Sequence, residues 1–264
     1  MSNQRLPAEL LDHIIDLLHD SKNALENCCL VSKSWVPRAR KHLFADIEFS
    51  PTKSLKSWKA MFPNPSTSPA CYAKALLVKY PLAVGAPDAE EWGWISPFTC
   101  IEHFEADTFR MDADLPPISL VPFYGLPPCL KSLHLSFRVV PSSQVFGLIY
   151  SFPLLEDLSL TSSDRWIGSN DGSDDQSTAF RSSVPPAFTG RLELNLETGL
   201  DFVLSRLSSL RGGLPFRRLR LTLNGQKDAL PVTALVERCR FTLEYLEIVS
   251  DLYSTFVHFS LPHQ

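Results

Sequence analysis

LKSLHLSF at 130–137, LEDLSLTS at 155–162, FRRLRLTL at 216–223 and LEYLEIVS at 243–250 are copies of one unit in which apolar and polar residues alternate. Weaker copies are FADIEFS at 44–50, AKALLVK at 73–79, IEHFEAD at 101–107 and TGRLELN at 189–195. Each aligns on a middle apolar residue: Ile47, Leu76, Phe104, Leu133, Leu158, Leu192, Leu219 and Leu246. Successive anchors lie 29, 28, 29, 25, 34, 27 and 27 residues apart, and the residue two places after each anchor is also apolar. Alternation with period 2 marks a strand that buries one face, so the spacing predicts eight strands feeding one core. In the gaps, Gln144–Phe152, Asp201–Leu210 and Val232–Cys239 carry apolar residues at helical spacing, the last after Pro231, a suitable helix start. Parallel strands with helical returns stack so that each unit buries its apolar face on its neighbours.

This α/β pattern resembles leucine-rich repeats of about 25–29 residues. The resemblance implies an irregular right-handed solenoid over residues 44–264, with a parallel β-sheet on its concave face. It is irregular because, five residues after the anchor, where many such repeats carry Asn or Cys, only Asn224 complies. The stretch SSDRWIGSNDGSDDQSTAF at 162–180 reads as a mobile loop. GAPDAEEWGWISP at 85–97 is a second excursion, equipped for contact by Trp92 and Trp94.

With the anchors inward, the residues one before, one after and three after each of them face outward. That surface is acidic at the early end (Asp46, Glu48, Glu105, Asp107, with Lys79 and His103) and neutral in the middle (Ser132, His134, Ser159). Toward the late end it is rich in arginine: Arg191, Arg218 and Arg220, with Tyr245. A polarised face of this kind orients a protein partner. The alternative is a purely structural ladder, since Glu193, Arg220 and Glu247 fall side by side, as do Asp157 and Arg191. Arg218 sits beside Arg191 with no acid close in its own column, which makes it the leading candidate for a ligand contact.

The chain opens with three short helical segments. LPAELLDHIIDLL at 6–18 is amphipathic, with Pro7 in its first turn. A second helix is expected over Asn23–Val31 with Ser21 as N-cap, and a third from Ser34 to His42, where Pro37 fits only the first turn. Three such helices make a poor core alone, and Leu6, Leu10, Ile14, Leu25, Val31 and Trp35 need cover from the rest of the chain or from a partner.

The series Leu6-Pro7-x-Glu9-Leu10-Leu11-x-x-Ile14-Ile15, then Leu25, Cys29-Leu30-Val31-Ser32-Lys33 and Trp35, running on through Ala39 to Leu43-Phe44, resembles the F-box motif. Over residues 1–43 the resemblance implies docking on the small Skp-type adaptor of a cullin–RING ubiquitin ligase. Leu6, Pro7, Leu10, Ile14, Leu25, Val31 and Trp35 would face the adaptor or brace the residues that do. The plan is similar to short F-box and repeat proteins of mushroom-forming fungi. It implies a substrate-recognition subunit whose repeats hold a target protein near a ubiquitin-charged enzyme, in the cytoplasm or nucleus. The alternative is a repeat scaffold that never enters a ligase, its first helices only capping the solenoid.

Composition sets the outer limits. The 264 residues are 44% hydrophobic and 20% charged with a formal net charge of −4, the profile of an ordinary globular chain and not of a nucleic-acid binder. No run is apolar enough for a membrane span, and no secretory leader opens the chain. Six cysteines without a C-x-x-C pair, and histidines at unsuitable spacings, supply no metal site. No catalytic or cofactor-binding motif occurs, and 11 glycines leave few loops able to cradle a phosphate. The expectation is a binding protein with no cofactor and no catalytic residue of its own.

Overall fold

The computed structural model describes residues 7–50, 53–79, 95–107, 120–137, 142–162, 186, 188–208, 214–223, 229–250 and 255–260. Leu6, Trp92, Trp94 and Asn224 lie outside them, as does nearly all of 162–180.

The chain is α/β. Three helices come first, α1 (Ala8–Asp16), α2 (Lys22–Val31) and α3 (Val36–Leu43). Strands β1 (Asp46–Phe49), β2 (Ala75–Lys79), β3 (His103–Asp107), β4 (Ser132–Phe137), β5 (Asp157–Ser162), β6 (Arg191–Leu196), β7 (Arg218–Leu223) and β8 (Tyr245–Ser250) follow in one parallel sheet, neighbours in sequence being neighbours in space. Helices α4 (Leu55–Met61), α5 (Ser142–Tyr150), α6 (Leu200–Ser208) and α7 (Ala229–Cys239) lie between strands, joined by 3₁₀ turns such as Val121–Gly125.

The eight anchors form a single row. Ile47 pairs with Leu76, and the register continues through Phe104, Leu133, Leu158, Leu192 and Leu219 to Leu246. Anchors and the residues two places on are all buried except Ile248, which is partly so. Between anchors the side chains turn to the other face, as the pleat requires. A third buried row, three residues before the anchor, holds Ala73, Ile101, Leu130, Leu155, Phe216 and Leu243. At the β1 end an aromatic cluster closes the core, with Trp58 of α4 lying 4.6 Å from Phe62 and 6.0 Å from Phe98 between ring centroids.

A second strand direction was not anticipated. β9 (Thr255–Ser260) runs antiparallel to β8, so the chain's own last strand covers the β8 edge. Helix boundaries also shift. Pro231 lies inside the first turn of α7, which starts at Ala229, because proline there removes only an N–H that lacks a partner anyway. α1 ends at Asp16 in turns, and α3 starts at Val36 so that Pro37 stays in its first turn. Ser21 caps α2 as expected, its Oγ accepting from the Ala24 N–H at 3.4 Å.

Gly190, just before β6, marks a close approach. A Cβ there would lie 2.1 Å from Asp157 Oδ1 and 3.2 Å from the Glu156 carbonyl oxygen. The Asp157 carboxylate is not free to move aside, since Oδ1 accepts the Arg191 backbone N–H at 2.6 Å. Gly190→Ala is expected to lower stability by about 1–3 kcal/mol, the usual cost of forcing atoms into filled space, measured by urea denaturation.

Candidate functional site

Two surfaces carry the chemistry. The first is on the opening helices. Ile15, Leu25, Cys28 and Ala39 form a small core of their own, separate from the core under the sheet, with Leu18, Trp35 and Leu43 packed against it. α1 and its C-cap residue therefore turn Leu10 (51% exposed), Ile14 (44%) and Leu17 (68%) outward, and α2 exposes Leu30 and Val31. Positions 10, 14 and 17 are spaced i, i+4, i+7 and lie on one helical face. Pro7 is exposed at the N-cap of α1, while Leu25 is fully buried and Trp35 half-buried, both bracing the fold beneath. Leu17 and Leu30 were not in the set expected to face the adaptor, although the stripe that starts at Leu10 points to Leu17.

One carboxylate pins α1 to α3. Asp16, at the end of α1, accepts from both Arg38 Nε and Arg38 Nη2, and lies 2.7 Å from His42 Nε2. The Arg38 hydrogen bonds, then that of His42, hold the Asp16 carboxyl well below the usual carboxylate range. A carboxyl depressed in the fold stabilises it above its unfolded value of 3.8 and loses that contribution as pH falls below it. Asp16→Asn is therefore expected to destabilise α1–α3 at neutral pH and to flatten their acid dependence. Amide exchange of residues 8–43 between pH 6 and pH 3 reads this out.

The second surface is the polar face of the sheet. His103, Glu105, His134, Arg191, Arg218 and Arg220 are exposed there, with Asp107 and Tyr245 half-buried, while Ser132 is covered at 6% exposure. The ladder at the late end forms: Arg220 Nη1 lies 3.3 Å from Glu193 Oε1, and Arg220 Nε lies 3.4 Å from Glu247 Oε1. Arg191 adopts a different partner from the expected Asp157, placing Nη2 2.7 Å from Glu193 Oε2, while Asp157 takes the Arg191 backbone N–H. Arg191 and Arg220 are thus committed to neighbours. Arg218, flanked in register by Arg191 and Tyr245, makes no ion pair among the described residues. It lines a groove of about 450 Å³ with His134, Asp157, Arg217 and Glu244.

A further charge column sits two residues before the anchors, where Lys74, Glu102, Lys131, Glu156, Gly190, Arg217 and Glu244 succeed one another. Glu102 lies 3.6 Å from Lys74 Nζ and 3.0 Å from Lys131 Nζ, and the Lys131 hydrogen bond lowers its carboxyl pKa. Arg217 and Glu244 continue the alternation at 3.7 Å. Such exposed pairs tie strand entries together with small individual energies.

Among the described residues no cluster of three or more His, Cys, Asp or Glu side chains is placed to hold a metal, and no helix is long and apolar enough to cross a membrane. The most buried thiol, Cys239, donates to the Leu214 carbonyl at 2.9 Å, and burial raises its pKa to about 11, which keeps it unreactive. Comparison of the chain with protein-family models, curated proteins and solved structures finds no match.

Proposed function

We propose that the chain is the substrate-recognition subunit of a cullin–RING ubiquitin ligase, with α1–α3 an F-box that docks on a Skp-type adaptor. In this reading residues 44–264 form an irregular leucine-rich-repeat solenoid whose concave face holds a target protein. The chain supplies no catalytic group. It raises the local concentration of a target lysine near the charged enzyme, in the cytoplasm or nucleus.

The observation that carries the reading is the uncovered apolar surface of α1 and α2. Leu17, Leu30 and Val31 are 68%, 85% and 66% exposed on helices whose own small core is already filled from the other side. Large apolar side chains left to solvent on both helices mark an interaction surface. A capping role for the same helices would bury that face against the first strand instead, and it does not. For the target-binding half, Arg218 is the arginine of the polar face with charge to spare.

The test is capture of a separately purified Skp-type adaptor by the full chain. Stable co-elution in gel filtration supports the reading, and separate elution of two folded proteins at micromolar concentration refutes it.

A further inference from the structure

The β1 end of the sheet carries a cavity of about 700 Å³ that the ion-pair ladder does not reach. Its strand wall is the polar face of β1–β3, with Asp46, Glu48 and Glu105, and its helical wall is Phe44 at the end of α3 with Trp58 and Met61 of α4. Two features of this cavity converge.

The first is an open strand edge. β1 pairs with β2 alone, and the Ala45 carbonyl accepts the Lys74 and Ala75 N–H groups. In a parallel pair only alternate residues bond to a given neighbour, so the N–H and C=O of Asp46 and Glu48 turn to the outside. No described residue pairs with them. Outward-turned backbone groups of this kind take up an added strand.

The second is a separation of charge between the walls. Glu48 is matched by Lys79 at 3.3 Å, whereas Asp46 and Glu105, both exposed, make no ion pair among the described residues. Lys22 and Lys53 line the cavity from α2 and from the turn before α4, so a cation is drawn to the strand wall and away from the helical one.

We infer that this cavity binds an extended peptide segment of a partner protein in which basic and apolar residues alternate. The peptide lies along β1. Its lysine or arginine side chains face Asp46 and Glu105, and the alternate apolar side chains sit against Phe44 and Met61. The inference rests on reading the sheet as a protein-recognition surface, and it is independent of whether the adaptor docks.

Fluorescence anisotropy on the full chain tests it, with a labelled octapeptide of alternating lysine and leucine as probe and an octapeptide of alternating glutamate and leucine as comparison. The lysine peptide should bind about tenfold or more tighter, the scale of one or two charge-assisted contacts. Asp46→Asn with Glu105→Gln should erase that preference while leaving the far-ultraviolet circular dichroism unchanged, since both residues are exposed. Methylating alternate backbone nitrogens of the lysine peptide should also abolish binding. Equal binding of the two peptides, or indifference to the double variant, overturns the proposal. The same preparations are assayed for adaptor capture. Peptide failure with adaptor capture intact removes the groove alone, and the converse removes the ligase reading alone.

Discussion

Leu10→Asp with Ile14→Asp is expected to weaken capture of a Skp-type adaptor by about 100-fold or more, the combined scale of two interface anchors each worth roughly 1–2 kcal/mol and of burying two carboxylates against an apolar partner. Both side chains are about half exposed, turned away from the buried Ile15. The small core of Ile15, Leu25, Cys28 and Ala39 is left complete, so free-chain stability should move by no more than about 0.5 kcal/mol, as for surface changes away from packed contacts. Leu25→Ala is the informative contrast. Leu25 has no exposed surface, so it should reduce capture only in step with unfolding of α1–α3. The pair of results separates a docking face from a structural one. Unimpaired capture by the double aspartate variant, seen by surface plasmon resonance, would remove α1 from the interface.

The second large effect is inside the sheet. Leu192→Ala should cost about 2–5 kcal/mol, the range for emptying a packed leucine site. Leu192 is fully buried and stands in the anchor row between Leu158 and Leu219. The next residue behaves differently. Glu193 points to the polar face and holds Arg191 and Arg220, so Glu193→Ala should cost about 0.2–1 kcal/mol for each pair lost. Urea unfolding of both variants gives the comparison. Similar losses at the two positions would mean that the alternation does not govern the packing.

The anchor row was legible because one physical requirement repeats eight times. Each strand must bury alternate residues and must return at the same level, so a fixed phase and a nearly fixed spacing survive even where composition drifts to Phe104 or Ile47. Features made once leave no such trace. β9 carries β-branched and aromatic residues, Thr255, Phe256, Val257 and Phe259, but its antiparallel pairing lies outside the repeat, and a lone six-residue run is a weak signal. α4 is too short for helical periodicity, with Leu55 and Trp58 its only buried residues.

Side-chain choices were legible only to the level of the row. Alternation put Arg191, Glu193 and Arg220 on one face, but whether Arg191 reached Asp157 or Glu193 depended on the Asp157 carboxylate being engaged by a backbone N–H. Asp16 meets Arg38 and His42 across separations of 22 and 26 residues, which no sequence spacing encodes. The column from Lys74 to Glu244 was available in principle, because it keeps the anchor's own spacing two residues upstream. In the opening helices the excess of apolar residues was plain, while the division into braces such as Leu25 and exposed positions such as Leu17 required knowing how the three helices cross.

Hydrogen exchange of the full chain, with and without an excess of purified Skp-type adaptor, tests most directly whether the opening helices are a seat for a second polypeptide. Slowed exchange confined to residues 8–16 and 22–31, with the strands unchanged, is the predicted outcome. Unaltered exchange in both helices, under conditions where the adaptor is folded and in excess, would contradict it.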